Sequence, residues 1–598
     1  MAELKARSEF DEKEKWDLRP LFADENAFLR EISDSLDQIN EFKKNFQGHL
    51  DTFDDFDKAL KIYEQIAIDI DHIANYGFMP QTSDFSDEKY GEIAHAAQDY
   101  TTKASVELSF WDDALVKADD SVLDEIGQNP RYAALLRHTK ITKKTYLGDA
   151  VEKTISNLQN ALNTPYDVYT KLRAGDYHMA DFTVHGKSYK NSFVTYENFY
   201  QNDADAEIRE KSFRSFSAGL RANENAAAAA YLNQVINEKT LATMRGYDSV
   251  FDYLLAPQEV DRSMFDRQID LIMNDFAPVA QKYLKHVAQV NHLSKMTFAD
   301  WKLDLDPDLN PEVSIEDGYN YVMNATAQLG DEYTETIKPF LKDRWVDFPA
   351  NIGKDSGGYT TFPYGTHPYI LMSWTGRLSD VYTLVHEIGH AGQGSLSAKN
   401  QSYYNYEPST YFVEGPSTFN ELLLSDYLEN QSDDPRTKRF ALAHRLSDTY
   451  FHNFITHLTE AAFQREVYTL IDEGKSFNAD RLNQIMKGVL SKFWGDAVEI
   501  DDDAALTWMR QAHYYMGLYS YTYSAGLTIS TQGFINLKKD PEKGRKAWLN
   551  FLKLGGSKAP IEAAKVAGVD VTTDAALKNT IQFLSDTVDR IIAYTDEI

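Results

Sequence analysis

The sequence predicts a mainly α-helical protein, and three observations carry that expectation. Glycine (30) and proline (17) are scarce in 598 residues, which favours long uninterrupted helices over a turn-rich β architecture. Apolar residues recur at three- and four-residue steps along most of the chain, the spacing of one helix face. Only two short stretches alternate or cluster as strands do.

Taken in order, residues 26–130 read as successive amphipathic helices. The run 42–68 is an example, with Phe46, Leu50, Phe53, Phe56, Leu60, Tyr63 and Ile66 at helical spacing. Residues 158–172 continue the pattern. Residues 181–189 then alternate around His185-Gly186 and read as a small hairpin. From 205 to 255 the pattern is helical again and includes the alanine run 226–230, where helix propensity is maximal. Pro307, Pro311 and Pro339 punctuate an acidic stretch and suggest breaks between subdomains. The segment 353–365 carries Gly353, Gly357, Gly358 and Gly365 and reads either as a mobile loop or as a structural turn. It leads into Tyr369–Trp374, a short apolar run between Pro368 and Gly376 that reads as a strand. Beyond Ser379 the pattern is helical to the C-terminus, apart from a break at Gly555-Gly556-Ser557. No repeat of fixed period is present.

Composition narrows the function classes. A net charge of −31 repels nucleic acid and anionic membranes, so neither is expected as a partner. The acidity reads either as surface solubility or as an acidic channel that favours cationic substrates. Zero cysteine excludes disulfides, thiol nucleophiles and cysteine-ligated metal. Met1-Ala2-Glu3-Leu4-Lys5 runs into charge without an apolar segment, and no stretch is apolar enough to span a bilayer. A soluble, cytoplasmic protein is expected. Aromatic residues, at 13%, argue for a packed core rather than disorder.

The chemistry concentrates at His386-Glu387-Ile388-Gly389-His390. On a helix over 380–392 the two histidines stand on one face, about 6 Å apart at Cβ, as two ligands of one ion must. Val381, Leu384, Val385 and Ile388 form an apolar stripe on the side away from them. Glu387 sits beside His386 and can act on a water without being a ligand, which is the physical content of the H-E-x-x-H pattern. Gly389 costs a helix about 1 kcal/mol relative to alanine, and close approach of another backbone is one reason to accept that. A catalytic zinc needs a third ligand and an open position. The next histidine is His444, and the carboxylates between include Glu407, beside Pro408, and Glu414. Glu414 and Glu421 are seven residues apart and share a helical face. Glu414 is then the ligand, and Glu421 either orients a ligating histidine or is a solvated helix charge. With zinc present, Glu387 would take a proton from the attacking water and pass it to the leaving amine. Further donors for the developing oxyanion are sought in residues 513–526, where Tyr519 and Tyr523 are co-facial if helical and Tyr521 points elsewhere. The same spacing also describes an aromatic packing stripe.

These residues lie within a wider resemblance. His386–Ala391, with Phe412-Val413-Glu414-Gly415-Pro416-Ser417-Thr418-Phe419-Asn420-Glu421, resembles the oligoendopeptidase F branch of the thimet oligopeptidase family of zinc metallopeptidases. Lys15-Trp16-Asp17-Leu18, Met244-Arg245-Gly246-Tyr247, Gly358-Tyr359, His367-Pro368-Tyr369-Ile370-Leu371-Met372 and Phe551-Leu552-Lys553-Leu554-Gly555-Gly556-Ser557 extend it over essentially the whole chain. Gly415 departs from a position where many relatives carry a larger aliphatic residue.

The resemblance implies His386, His390 and Glu414 as ligands of one zinc ion per chain and Glu387 as general base. It implies His513 and the following tyrosines, best fitted by Tyr519 and Tyr523, as substrate and transition-state contacts. The implied fold is an elongated, helical, two-lobed body with a deep substrate channel and a small sheet beside the zinc helix. Residues 1–200 would form an N-terminal helical domain with the hairpin, and 201–598 the catalytic domain. Tyr369–Trp374 would be an edge strand that holds an extended peptide. The expected activity is cleavage of internal bonds in short unfolded oligopeptides, by a monomer or homodimer. A carboxypeptidase of the same fold, a non-catalytic peptide-binding scaffold and a structural metal protein are the competing readings. The intact quartet His386, Glu387, His390 and Glu414 argues against the scaffold. The absence of a four-ligand Cys/His set argues against the structural site.

Overall fold

The computed structural model describes residues 5–598 apart from Asp308, Asn310 and Ser356, and the backbone alone at Asn198 and Leu341. The N-terminal stretch read for a targeting signal lies outside the described residues, save Lys5. Helices account for 71% of the chain, so the class is mainly α, as the composition and spacing predict. Five short strands are present among the described residues: β1 (Phe182–Val184), β2 (Lys187–Tyr189), β3 (Val346–Pro349), β4 (Tyr359–Thr361) and β5 (Tyr369–Trp374).

The chain divides into two compact units. The first comprises Met1–Tyr146, Pro311–Leu424 and Gly533–Val569, and the second Leu147–Asn310, Ser425–Gln532 and Asp570–Ile598. One division therefore falls at Pro311, inside the proline-punctuated stretch. That stretch also holds two helices that the prolines concealed, Ile315–Thr326 and Asp331–Lys342, the second with Pro339 inside it.

In the first unit, the helices Glu25–Phe46, Phe53–Ser83 and Glu88–Lys117 pack around one apolar core that includes Phe28, Ile39, Phe42, Leu60, Tyr100 and Trp111. The run 42–68 is not one helix. It breaks between Phe46 and Phe53, where Thr52 and Asp55 cap each other's backbone N–H groups and start the second helix. The stop and start chemistry of these residues overrides the continuous apolar spacing.

The sheet of this unit has the order β3-β5-β4, with β5 parallel to β3 and antiparallel to β4. Tyr369 and Leu371 enter the N-terminal core, and Ile370 and Met372 are equally buried on the opposite face. Burial on both faces explains why β5 reads as an unbroken apolar run. It also corrects the expectation of an edge strand: β5 is central, and the edges are β3 and β4, the latter within the glycine-rich segment 353–365. The helix Leu378–Asn400 packs against both β4 and β5. Asp380 fixes its start by accepting from the backbone N–H groups of Thr375 (2.7 Å) and Arg377 (3.0 Å).

The second unit is built from helices that include Asp149–Lys171, Glu224–Met244, His457–Asp472, Ala479–Trp494 and Ala575–Glu597. Its hairpin pairs β1 with β2 around His185-Gly186, as the alternation predicts. Arg245 of the Arg245-Gly246-Tyr247 element ends a helix and grips Glu152 with two hydrogen bonds, of 2.8 and 2.9 Å.

Candidate active site and metal centre

The helix Leu378–Asn400 carries the histidine pair, and its back is set by sequence: Val381, Leu384, Val385 and Ile388 are all fully buried. Its neighbour is the helix Glu414–Glu429. Gly389 makes their contact possible, because a Cβ there would lie 2.5 Å from the Pro416 carbonyl oxygen and from Ser417 Cα. No side chain fits that gap, so glycine is required by close backbone approach. Asn420 ties the two helices from the second side, donating to the Val385 carbonyl (3.3 Å) and to the Tyr333 hydroxyl (2.8 Å).

This approach brings one atom from each of three side chains to a common point. His386 Nε2 and His390 Nε2 are 3.2 Å apart, and each lies 3.3 Å from Glu414 Oε2. Ser417 Oγ donates to the same Glu414 oxygen at 3.0 Å and holds its rotamer. Glu421, also on the second helix, accepts from His386 Nδ1 at 2.6 Å. That bond places the proton on Nδ1 and turns the Nε2 lone pair towards the triad. Burial pulls the His386 imidazole pKa down, but Glu414 and Glu421 outweigh it and hold it well above the usual histidine value. Burial likewise pushes Glu414 up, and His390 and His386 reverse this to hold it well below the carboxylate range. Glu387 is buried and stands outside the triad, where Thr360 of the edge strand β4 donates to its Oε2 at 2.7 Å and to its carbonyl at 3.0 Å.

The triad fits a metal. Zinc bound through bonds of roughly 2.0–2.1 Å spaces tetrahedral ligand atoms about 3.3–3.4 Å apart. The three observed separations match those edges, the donor set is His₂Glu, and Glu421 completes the support that a ligating histidine ordinarily has.

The second unit holds a separate cluster around His513. The rings of His513, Tyr519 and Tyr523 lie 5.2–5.8 Å apart between centroids. Tyr519 is not on a helix with Tyr523, since the helix Tyr521–Lys539 begins two residues later. The four-residue turn Tyr519–Thr522, in which the Thr522 N–H and hydroxyl both donate to the Tyr519 carbonyl, brings the rings together instead. Tyr521 points away and donates to Gln258 at 2.7 Å. Behind these residues lies a group that spacing did not reveal: His457 and Glu460, both fully buried, with His452 and Ser520. The pair His457 and Glu460 shares a helix face at i,i+3, a signal present in the sequence but weak without the fold.

Comparison with known proteins follows the same lines. A Borreliella burgdorferi protein described as an oligoendopeptidase F homolog is 27% identical over 595 residues, covering 98% of this chain and 99% of the relative. Oligopeptidase PepF of Bacillus subtilis is 25% identical over 597 residues, covering 98% and 88%. Among solved structures, one from Chlamydophila abortus matches with a TM-score of 0.85 at 20% identity, covering 99% of this chain and 100% of that one. Oligoendopeptidase-F from Enterococcus faecium matches with a TM-score of 0.72 at 19% identity, covering 97% and 100%. Residues 199–583 match the model of peptidase family M3. With that match over most of its length, this chain belongs to peptidase family M3 and is a hydrolase of peptide bonds.

Proposed function

We propose that the chain is a zinc-dependent endopeptidase for short, unfolded oligopeptides, in which His386, His390 and Glu414 hold one zinc ion and Glu387 is the general base. The observation that carries this reading is the triad of donor atoms spaced 3.2–3.3 Å apart, with Glu387 buried beside it and outside it. When bound, the zinc supplies Lewis-acid polarisation of the scissile carbonyl and lowers the pKa of a water molecule. Glu387 accepts a proton from the attacking water on a carboxylate oxygen and returns it to the leaving nitrogen. Thr360 holds that carboxylate by its 2.7 Å hydrogen bond, so its orientation is set before substrate arrives. Glu421 keeps the His386 ring turned by its 2.6 Å bond. His513, Tyr519 and Tyr523 contact the peptide and donate to the oxyanion that develops on its carbonyl.

Residues 201–598 carry the catalytic apparatus in this reading, and residues 1–200 form the N-terminal helical part with its hairpin. Oligopeptides as substrates are supported by the names of the relatives. The edge strand β4 offers an extended peptide main-chain hydrogen bonds without selecting its side chains. A chain without cysteine suits the cytoplasm. No helix among the described residues is long and apolar enough to cross a membrane.

The decisive experiment replaces Glu387 by glutamine. Hydrolysis of an internally quenched peptide should fall by about 10²-fold or more, while metal analysis still finds close to one zinc per chain. Full activity in E387Q would sink the mechanism. Cleavage of an end-blocked peptide by the parent enzyme separates an endopeptidase from a carboxypeptidase, since only the former needs no free C-terminus.

A further inference from the structure

Glu460 is a buried carboxylate, 1% exposed, on the helix His457–Asp472. One of its oxygens, Oε2, collects three neighbours: His457 Nδ1 at 2.8 Å, Ser520 Oγ at 3.0 Å and His513 Nδ1 at 3.4 Å. An ionised group this deep needs opposite charge and hydrogen bonds around it. Burial pushes its pKa up, but His457 and His513 reverse this and hold it well below the usual range. The helix enters this site from a twelve-residue π-helical stretch, Arg445–Thr456, a form that is rare and recurs at functional sites.

The contacts have a direction. His457 is fully buried, whereas His513 and Tyr523 are only partly so. The Nδ1 edge of His513 faces Glu460, and its Nε2 lies 3.4 Å from the Tyr523 hydroxyl. Tyr523 in turn stacks on His457, with ring centroids 4.0 Å apart and planes 16° from parallel. The same carboxylate oxygen thus faces the Nδ1 edges of both His457 and His513. The alternative use of these residues is as a second metal site, because His457, Glu460 and His513 each offer a ligand atom within 4.8 Å of the others. The 2.8 Å separation at His457 argues against it, being a hydrogen-bond length and shorter than a zinc-ligand edge of about 3.3 Å. Ser520 already donates to the same oxygen.

We propose that Glu460 is a positioning residue for His513: it engages the Nδ1 edge of the ring and leaves Nε2, beside the Tyr523 hydroxyl, as the atom presented to the peptide. This rests on the reading of His513 as a peptide contact. Contacts of this kind are often long without substrate and tighten in the working complex.

The test is a double-mutant cycle on the full-length, zinc-loaded enzyme with one quenched peptide. Kinetic constants are measured for E460Q, H513A and the double variant, with zinc content and thermal midpoint for each. H513A should lower kcat by about 10²-fold or more. E460Q should lower kcat by roughly 2- to 160-fold, the range of coupling between contacting residues, with zinc still near one per chain. In the H513A background, E460Q should cost nothing more. If the double variant shows the product of the two single losses, Glu460 acts independently of His513 and the proposal is overturned. A zinc stoichiometry near two in the parent that falls to one in E460Q would overturn it in favour of a metal site. Full activity of H513A would instead remove the reading of His513 on which the proposal stands. Should E460Q fail to fold, E460D keeps the charge, withdraws it by one methylene, and closes the same cycle with the same criterion.

Discussion

At the scale of single residues, the proposed metal triad His386, His390 and Glu414 is controlled by a side chain outside it. Glu421 accepts the Nδ1 proton of His386 and so decides which ring nitrogen carries the free lone pair. Replacing Glu421 by glutamine keeps the shape but weakens the acceptor and lets the ring flip. Zinc affinity, read by competition with a chromogenic chelator, should fall by roughly 10- to 100-fold. Removal of a proposed ligand itself, in H390A, should leave less than a tenth of the zinc after dialysis against the same chelator, and an undiminished content would refute the ligand assignment. The histidine pair was legible in the sequence because a helix fixes the i,i+4 geometry without any tertiary information. Glu414 was legible by type and by its helical phase with Glu421. Thr360 and Glu460 were not, since each matters through a contact made by folding: Thr360 reaches Glu387 across 27 residues, and Glu460 reaches Ser520 across 60. Hydroxyls and carboxylates are too common for their type alone to mark them.

At the scale of elements, the site depends on how closely the helices Leu378–Asn400 and Glu414–Glu429 approach. Gly389 is the gap that allows it, and its substitution opposes two effects of known size. Alanine would stabilise the helix by about 1 kcal/mol through propensity alone. Its Cβ would also meet Pro416 O and Ser417 Cα at 2.5 Å, and backbone atoms cannot rotate aside. Overpacking of this kind typically costs about 1–3 kcal/mol, so the clash outweighs the propensity gain. G389A should therefore melt earlier than the parent and bind zinc more weakly, because Glu414 moves with its helix. A raised melting point with unchanged zinc affinity would show that the helices are not held this close. Sequence periodicity finds the motif helix, the helical pattern after Glu414 and the strand Tyr369–Trp374, but not which elements pack beside one another. A short apolar run looks alike at the centre and at the edge of a sheet, so the sequence of β5 does not distinguish its central place from the edges that β3 and β4 occupy. The helix break at Phe46–Phe53 was missed for the opposite reason: apolar spacing continues across it, and only the reciprocal cap of Thr52 and Asp55 reveals the stop. Tyr519 and Tyr523 meet through a turn at the helix start, which i,i+4 counting cannot distinguish from a helix face.

At the scale of the whole molecule, composition was informative about class and silent about assembly. Scarce glycine and proline gave the helical class, but each compact unit is made of three separate segments of chain, and no local pattern announces such a division. Net charge is the one whole-chain property that makes a quantitative claim. The sequence carries 92 acidic and 61 basic residues, an excess of 31 negative charges. The folded chain exposes 25,561 Å² of surface, which leaves one uncompensated charge per roughly 820 Å² and a mean spacing of about 29 Å. At 0.01 M salt the screening length is about 30 Å, equal to that spacing, and at 0.1 M it is about 10 Å, much shorter. Self-repulsion therefore acts on the folded state only at low ionic strength. Surface ion pairs lose strength over the same range, but exposed pairs contribute about 0–1 kcal/mol each and many contribute nothing measurable. The repulsion should win. The thermal midpoint of the zinc-loaded protein should rise between 0.01 and 0.1 M sodium chloride and then level off, with no further gain at 0.3 M. A midpoint that falls with salt would mean that the ion-pair networks, rather than the excess charge, set the electrostatic balance of the fold.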